Sequence, residues 1–283
     1  MLAKGLPLAV FGASGQVGRA VLDRCREHRI PVLAFSRETG HADEEWIQWR
    51  QARLPDVVPA MPRVAATLSL GPLDLFSHWL ERARPDGIGK IVALGSMSAI
   101  SKRDSALPAE RDLARRLRES EERLARACTA LGLGWTVFRP TLIYGAGVDR
   151  NVSAVMRAAA RWHVMPLPRA RGLRQPLHVA DLADAVLASL NNAASDGCVL
   201  PIGGGERLDV ATMFRRMRAA LPVATLPLPL PATVSRMARM LSARMPLAAK
   251  LARFEDDLVA NNDMVEQMLG VQPRAFTPAW LPP

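Results

Sequence analysis

Gly12-Ala13-Ser14-Gly15-Gln16-Val17-Gly18 is the stretch of sequence that decides the fold. It follows an apolar run at residues 6–11, and it opens a helical pattern at residues 16–28 whose apolar side chains share one face. A strand, a tight glycine turn and a helix, in this order, form the first half of a βαβ unit. The stretch therefore predicts an α/β fold with this turn at the carboxyl end of a parallel strand.

The three glycines of the turn have separate tasks. A glycine at position 12 lets the chain turn sharply, one at 15 lets the backbone approach a pyrophosphate, and one at 18 lets the helix pack on the sheet. The amino end of the helix adds N–H donors and the positive end of the helix dipole. In this context the motif predicts a dinucleotide site rather than a plain tight turn. The predicted cofactor residues here are Gly12, Ser14, Gly15, Gln16, Val17 and Gly18.

Apolar runs of strand length recur along the chain, with helical patterns between most of them. This alternation is typical of parallel βαβ units. We therefore expect a doubly wound parallel sheet, the Rossmann class of α/β fold, with a small carboxy-terminal substrate lobe. The further runs lie at residues 31–36, 64–70, 90–96 and 135–138, and the helical patterns at 72–84, 108–131, 181–191 and 209–221.

Two parts are expected from this pattern. Residues 1–165 form the dinucleotide-binding part, and residues 166–283 complete the sheet and form the smaller substrate-side lobe. Asp181 is predicted to cap the amino end of the helix at 181–191. Residues 233–245 carry methionines and arginines at helical spacing, which favours a lid over the substrate cleft, with a basic membrane-surface helix as the alternative.

Composition narrows the class of protein. The 283 residues are 49% hydrophobic and 23% charged, enough to bury a sizeable core. The net charge of +10 comes almost wholly from arginine, a side chain that grips phosphate in a bidentate way. The basic residues alternate with acidic or apolar ones and form no long block. This is typical of a solvated face, so we expect no nucleic-acid partner.

The cysteines, the amino-terminal segment and the uncharged stretches indicate the cellular compartment of the protein. Cys25, Cys128 and Cys198 are scattered and odd in number, which predicts no metal site and a reducing compartment. The amino-terminal sequence lacks the apolar segment of a secretory signal. Prolines interrupt the longest uncharged stretch, at 219–235, so it is a poor membrane span. We expect a cytoplasmic protein.

The residues that end the second apolar run, at 31–36, indicate whether the site prefers NAD(H) or NADP(H). A site that prefers NAD has a carboxylate there, which takes the ribose hydroxyls. This chain has Ser36 followed by Arg37, and a guanidinium suits a 2′-phosphate. NADP(H) is therefore favoured over NAD(H), while Glu38 keeps NAD(H) open. Because ligands bind at the carboxyl ends of parallel strands, Leu70 and Gly71 are assigned to the same site.

The GxxGxxG spacing of the glycine turn resembles that of the short-chain dehydrogenase/reductase superfamily, in its extended or atypical branch of NAD(P)-dependent epimerases and dehydratases. Arg139-Pro140-Thr141-Leu142-Ile143-Tyr144-Gly145 is similar to the RPxxxYG segment of that branch. Residues 174–183 resemble its R-x-F-V-H-V-x-D-L-A segment, and residues 257–274 resemble its carboxy-terminal ending. Four ordered matches support one family fold.

The resemblance implies further site residues. Pro140 and Thr141 fall in a segment whose backbone lies near the nicotinamide. Arg174 matches an arginine that contacts the substrate diphosphate in nucleotide-sugar members, a contact that suits a bidentate guanidinium. A purely structural arginine is the alternative. Tyr144 matches the tyrosine of the RPxxxYG segment and is expected to be structural.

The catalytic set departs from the family pattern. The family has a serine or threonine after the fifth strand and a Tyr-x-x-x-Lys pair on the next helix, where the lysine lowers the pKa of the tyrosine. The best register places Met97 at the serine position, so Ser96 and Ser98 become the catalytic candidates. Ala114 and Arg118 fall where the tyrosine and lysine belong. Lys102 and His178 are the nearest other titratable side chains, and neither is favoured as the catalytic acid/base.

Three classes of function follow. The first is an NAD(P)-dependent oxidoreductase or epimerase/dehydratase of the extended short-chain type, acting on a nucleotide-linked sugar or a related small molecule. The second is a cofactor-binding regulatory or sensor protein of the same fold with degenerate catalytic residues. The third, a nucleic-acid binder, rests on charge alone. We expect a small-molecule substrate and no membrane partner, and a homodimer stays open.

Overall fold

The computed structural model describes residues 5–149, 151–170, 172–230, 233 and 253–281. Apart from Thr233, the helix predicted at residues 233–245 lies outside the described residues. The strands are β1 Leu8–Phe11, β2 Val32–Ser36, β3 Ile47–Gln51, β4 Ala66–Ser69, β5 Lys90–Leu94, β6 Trp135–Pro140, β7 Ile143–Tyr144, β8 Val164–Pro168, β9 Leu173–Arg174, β10 Leu177–His178, β11 Cys198–Ile202, β12 Leu208–Asp209 and β13 Leu226–Leu230. The helices are α1 Gln16–Glu27, α2 Leu73–Ala83, α3 Ser98–Ser101, α4 Pro108–Leu131, α5 Val152–Trp162, α6 Val179–Leu190, α7 Val210–Ala219 and α8 Asp263–Leu269, with 3₁₀ turns at Ala193–Ser195 and Arg253–Glu255.

Seven strands form one parallel sheet in the order β11-β6-β5-β4-β1-β2-β3. The chain runs outward from β1 to β3, returns, and builds the other half from β4 to β11. The strand order therefore reverses between β1 and β4, and this reversal leaves the crevice where ligands bind in such sheets. The predicted doubly wound parallel fold is confirmed.

Both faces of the sheet are covered, because side chains alternate along each strand. Leu8 and Val10 of β1 pack in the core that contains α1 and α6. Ala9 and Phe11 pack in the opposite core, which contains α2 and α4. At roughly 25 cal/mol per Å² of buried apolar surface, these two cores supply the main stabilisation of the sheet.

A third core lies in the smaller lobe. It joins α5 and α7 with β8 through side chains such as Met156, Met165 and Phe214. β13 pairs with β8 in parallel and carries prolines at alternate positions. Proline donates no ladder hydrogen bond and is tolerated on an edge strand, which explains how this proline-rich stretch forms a strand.

β3 was not predicted, because it is an edge strand. Ile47 is fully buried, Trp49 is half-buried against the same core, and Gln48, Arg50 and Gln51 are exposed. An edge strand with two apolar side chains separated by polar ones has no apolar run to detect. Beyond residue 165, β11 forms the opposite edge of the same sheet beside β6.

The prediction that Asp181 caps a helix was wrong. α6 begins two residues earlier, and its N-cap is His178, whose Nδ1 accepts a hydrogen bond from the Ala180 N–H at 3.2 Å. The Asp181 carboxylate instead accepts from the backbone N–H and the Nε of Arg274, at 2.9 and 2.8 Å. This bond joins α6 to a segment 93 residues away, a partner that no local signal reveals.

Within the described ranges, no helix is both long enough and apolar enough to span a lipid bilayer.

Candidate active site

The glycine turn lies at the carboxyl edge of the sheet. β1, β2 and β4 are parallel neighbours, and they end at Phe11, Ser36 and Ser69. Their carboxyl ends therefore meet at one edge, where the turn leads into α1. The sequence-predicted residues Leu70 and Gly71 follow β4 at this same edge.

Two glycines of the turn are required by packing. Gly12 has φ +78°, and a Cβ added there would lie 2.7 Å from the backbone nitrogen of Gly71. A Cβ on Gly18 would lie 2.3 Å from the carbonyl oxygen of Gly12, since α1 crosses tightly against the turn. Neither backbone neighbour can rotate away. Side chains at these positions would force the turn apart.

Gly15 differs from the other two. Its φ of −73° is ordinary for any residue, and an added Cβ would approach only the Gly12 carbonyl oxygen, at 3.2 Å. Packing within the protein therefore does not explain why the outer side of Gly15 carries no side chain. A backbone surface left bare beside a helix amino end fits a pyrophosphate that approaches closely.

The amino end of α1 is free of competing anions. No side chain caps its first turn, and the first turn contains no acidic residue. Gln16 Oε1 is buried there and has no hydrogen-bond partner among the described residues. Unused donors and an unpartnered buried acceptor fit a polar ligand at this position. The described residues thus fit the pyrophosphate of a dinucleotide.

Ser14 and Ser36 join the turn to the end of β2. Their hydroxyl oxygens lie 3.1 Å apart, and the Ser36 hydroxyl also accepts a hydrogen bond from the Glu38 N–H at 3.1 Å. Arg37 follows with an exposed side chain, while its carbonyl accepts from Gln51 of β3. The backbone of this corner is therefore ordered, and the guanidinium of Arg37 faces solvent beside it.

A cleft of about 450 Å³ opens at the ends of β5 and β6. It brings together the sequence-predicted residues Ser96, Ser98, Pro140, Thr141 and Arg174. A neighbouring cleft of about 660 Å³ shares part of this wall. The other described residues of the first cleft are Lys102, Leu142, Asn151, Val152, Val155, Met213, Phe214, Met217, Arg253, Phe254 and Leu258.

No protein-family model matches this chain. Among curated proteins, the UDP-glucose 4-epimerase of Vibrio cholerae is 26% identical over 116 residues. The aligned part makes up 40% of this chain and spans 35% of that protein.

Solved structures match over nearly the whole chain. A UDP-glucose 4-epimerase of Thermotoga maritima, solved with UDP-glucose, is 16% identical with a TM-score of 0.71, covering 96% of this chain and 94% of that chain. MoeE5, in complex with UDP-glucuronic acid and NAD, is 16% identical with a TM-score of 0.72 over 95% and 94% of the two chains. The UDP-N-acetylglucosamine 4-epimerase of Bacillus cereus is 15% identical with a TM-score of 0.69 over 96% and 93%. This chain has the fold of these three proteins. The predicted resemblance is therefore confirmed for the fold.

The serine segment, residues 96–98, is joined to the end of β6 by a backbone hydrogen bond. Met97 donates its N–H to the Pro140 carbonyl at 3.0 Å and is buried, so it does not line the cleft. Ser96 and Ser98 flank it, and the Ser96 hydroxyl accepts from the Ser98 N–H at 3.1 Å. Both serines line the cleft. Met97 thus stands, with a hydroxyl residue on either side, where the resemblance leads one to expect a serine.

The two positions of the missing Tyr-x-x-x-Lys pair do not reach the cleft. Ala114 is fully buried within α4. Arg118 donates a hydrogen bond to the Ala99 carbonyl at 2.8 Å, which attaches α3 to α4. Tyr144 lies in the core of the smaller lobe, where its hydroxyl accepts from the Thr277 N–H at 3.2 Å and burial raises the pKa of the phenol. These contacts agree with the structural role expected of Tyr144.

Arg174 is 4% exposed and lines both clefts. Its Nη1 donates to the carbonyl oxygens of Leu173 and Asp256, at 2.8 and 2.6 Å, and its Nη2 donates to the Arg253 carbonyl. Desolvation lowers the pKa of the guanidinium. Backbone carbonyls thus hold the orientation of this side chain, a role the sequence left open beside substrate contact.

A buried carboxylate that the sequence did not single out, Glu110, organises the cleft wall. It accepts from the Ser105 hydroxyl at 2.7 Å and the Arg253 Nε at 2.6 Å, and it lies 3.3 Å from Lys102 Nζ. Burial by itself raises the pKa of Glu110, but the Ser105 hydrogen bond and the charges of Lys102 and Arg253 together bring it below its ordinary value. A glutamate in the first turn of a helix is common, so its pattern carried no signal.

A second buried ion pair, between Arg139 and Glu121, lies next to the serine segment. Arg139 donates from Nε to Glu121 at 2.9 Å, and both side chains are largely buried. A Cβ added at Gly95 would lie 2.6 Å from Glu121 Oε1, so the carboxylate occupies the space beside this glycine. The arginine of the RPxxxYG segment therefore links β6 to α4 rather than facing the cleft.

His178 packs against the core of the smaller lobe. Burial, followed by the charge of Arg274, lowers the pKa of His178, and its ring packs edge-on against Tyr144. Across the described part of the chain, no group of three or more His, Cys, Asp and Glu side chains is placed to hold a metal ion.

Proposed function

We propose that this chain is a nicotinamide-dependent enzyme that moves a hydride to and from a nucleotide-linked sugar. One observation carries the proposal: the bare turn at Gly15 and the polar cleft at Ser96, Ser98 and Thr141 open at the same edge of one sheet. A dinucleotide extended along this edge would reach from the turn at Gly15 to the cleft. MoeE5, solved with a UDP-sugar and NAD, supports this pair of ligands.

The proposed cofactor residues divide the work along the edge. Gly12 and Gly18 shape the turn, while Gly15 and the first N–H groups of α1 hold the pyrophosphate. Pro140 and Thr141 border the nicotinamide end. When bound, the nicotinamide supplies a hydride acceptor or donor. The remaining cofactor contacts are assigned to Ser14, Gln16, Val17, Ser36, Arg37, Leu70 and Gly71.

The proposed substrate contacts lie in the cleft. Ser96 and Ser98 hydrogen-bond to the reacting oxygen of the sugar, since both hydroxyl residues line the wall. Arg174 contacts the diphosphate with the donors that its backbone carbonyls leave free, and those carbonyls hold its orientation. Arg174→Gln should raise KM for a nucleotide sugar and leave cofactor affinity unchanged. A fall in melting temperature with no change in KM would assign Arg174 to structure alone.

We also propose NADP(H) as the preferred form of the cofactor. Arg37 is exposed and follows an ordered serine, so its guanidinium is free to turn onto a 2′-phosphate. MoeE5 with NAD is the counterexample among the similar structures. The reaction is proposed for the cytoplasm, on the cysteine spacing of the sequence.

The test is a turnover assay with UDP-glucose, UDP-N-acetylglucosamine and UDP-glucuronic acid, each with NADPH, NADH and their oxidised forms. Cofactor absorbance and the separated sugar products are followed. We expect slower turnover than that of an enzyme with the Tyr-x-x-x-Lys pair, because an acid/base group at another position supplies only part of the usual gain of about 10² to 10⁴ in rate. Ser96→Ala or Ser98→Ala should reduce it by about another tenfold, the value of one hydrogen bond. Failure of every sugar to react would reject the proposal.

A cofactor-binding protein without turnover is the second candidate. Ala114 and Arg118 favour it, because neither offers a group that exchanges a proton at the cleft. Calorimetric titration separates the two candidates. Tight cofactor and sugar binding without product, after long incubation at high protein concentration, would support the regulatory alternative.

A further inference from the structure

The proposed reaction needs a group that exchanges a proton with the sugar oxygen. Ala114 has no such group, and the Arg118 guanidinium is bound to a backbone carbonyl. Arginine also stays protonated in proteins, so it cannot act as a base. The proton must therefore pass through another side chain of the cleft wall.

Lys102 lines both clefts and is positioned by α3. Its backbone N–H donates a hydrogen bond to the Ser98 carbonyl at 3.3 Å, one helical turn earlier. The side chains of Ser98 and Lys102 therefore lie on the same side of this short helix. Among the described residues that line the 450 Å³ cleft, the cationic side chains are those of Lys102, Arg174 and Arg253. Of these, the lysine amine is the group that both gains and releases a proton.

Glu110 holds the head of Lys102 in place. The carboxylate is buried, with its side chain 11% exposed, and the lysine side chain is 17% exposed. Ser105 and Arg253 bind the same carboxylate and hold its orientation. A lysine at an open surface samples many rotamers, whereas this one is directed along the cleft wall by an ion pair.

We propose that Lys102 is the catalytic acid and base of this cleft and that Glu110 is its positioning residue. The inference rests on the proposed function. In the reducing direction, a hydride from the reduced nicotinamide adds to the carbonyl carbon of the sugar, and the carbonyl oxygen takes a proton from the Lys102 ammonium. The products are the alcohol, the oxidised nicotinamide and the neutral amine. In the oxidising direction, the amine takes the hydroxyl proton as the hydride leaves.

Charged side chains from several elements line the 660 Å³ cleft together with Lys102. Glu110 comes from α4, and the other charged residues come from the loop after α3, from β9 and from the turn at 253–257. They are Asp104, Arg174, Arg253, Glu255, Asp256 and Asp257.

The first test is kinetic and uses two substitutions. Lys102→Met should lower kcat by about 10² to 10⁴, the contribution of a general acid/base, with cofactor affinity unchanged by titration. Lys102→Arg keeps the charge and removes the proton exchange, so it should be as slow as Lys102→Met. If Lys102→Arg retains the wild-type kcat, the side chain acts by charge alone and the proposal is overturned.

The second test does not depend on turnover. Amines of the wild-type protein are labelled with acetic anhydride, and Lys102 and Lys90 are quantified by mass spectrometry. UDP-glucose with NADPH should protect Lys102 at least fivefold. Lys90, whose Nζ donates to the Ser189 and Asn192 carbonyls away from the cleft, should be unaffected. Equal labelling of Lys102 with and without ligand would overturn the proposal.

The positioning role of Glu110 has its own readout. Glu110→Gln removes the ion pair that holds the amine, so kcat should fall while KM for the sugar stays near its wild-type value, and Glu110→Asp should recover part of the loss. An unchanged kcat in Glu110→Gln would reject the positioning role. If wild type turns over the sugar and Lys102→Met does so equally, the lysine assignment fails and the proposed function stands. If no sugar reacts, the proposed function fails, while the labelling experiment still decides the position of Lys102.

Discussion

The glycine turn and the serine-bearing wall of the cleft lie at the same sheet edge, yet they match the pattern expected from the family resemblance to different degrees. In the turn, Gly12 and Gly18 are constrained by backbone atoms 2.7 and 2.3 Å from where a Cβ would stand. In the wall, Met97, Ala114 and Arg118 stand where the family resemblance leads one to expect catalytic residues, while the Met97 N–H donates to the Pro140 carbonyl. A site formed by backbone tolerates few substitutions, whereas a site formed by side chains can change its chemistry within an intact fold.

The largest effect is expected at Gly18. Gly18→Ala places a Cβ 2.3 Å from the Gly12 carbonyl, so α1 must move away from the sheet. The free energy of unfolding should fall by about 3 kcal/mol or more, the upper range for overpacking. Urea unfolding followed by circular dichroism measures it, with Gly71→Ala as the control, because a Cβ there would meet nothing closer than the Gly12 Cα at 3.8 Å. A loss below about 1 kcal/mol would show that the turn is more adaptable than its contacts indicate.

Gly15 separates binding from folding in the same turn. Gly15→Val should weaken cofactor binding by at least about a hundredfold, roughly 2.7 kcal/mol, because the branched side chain occupies the pyrophosphate path. The fold should persist, since its Cβ meets one carbonyl oxygen at 3.2 Å. Calorimetric titration with NADPH gives the affinity, and a thermal melt checks the fold. A folded variant that binds as wild type does would move the pyrophosphate elsewhere.

Arg37 tests cofactor choice at a side chain rather than at the backbone. Arg37→Ala should reduce the preference for NADPH over NADH by about tenfold, near 1.4 kcal/mol, because one charge-assisted contact to the 2′-phosphate is lost. Dissociation constants for both cofactors are compared, with Arg50→Ala, on neighbouring β3, as the matched control. Equal affinities in wild type, or an unchanged preference in the variant, would contradict the NADP(H) proposal.

Glu110→Gln is expected to give the smallest effect. The resulting loss in free energy of unfolding should change with pH in a definite direction. The pKa of Glu110 in the folded protein lies below the unfolded value of about 4.3, so its stabilising contribution is present above that pH and is lost as the pH falls through the folded value. Glu110→Gln should therefore cost about 1 kcal/mol at pH 7, and the difference from wild type should shrink near pH 3. Urea unfolding at both pH values measures it. A difference that grows on acidification would reverse the assignment.

Much of the fold follows from local pattern. The helix predicted at residues 108–131 has those bounds in the structure, since a proline at its first position and a glycine after its last position mark both ends. The strand, glycine turn and helix at the amino end predicted the parallel sheet and its binding edge. Periodicity and glycine spacing carry such information because they are properties of neighbouring residues.

What only the tertiary structure decided lies in contacts between distant polar side chains. Glu110 meets Arg253 across 143 residues of sequence, Asp181 meets Arg274 across 93, and Arg174 is held by carbonyls of the turn at 253–256. β3 was missed for a related reason, because only Ile47 and Trp49 of its five residues pack on the core. A polar side chain buried by one remote partner leaves no periodic pattern in the sequence, so the sheet and its glycine turn could be predicted, whereas the contacts around Lys102 could not.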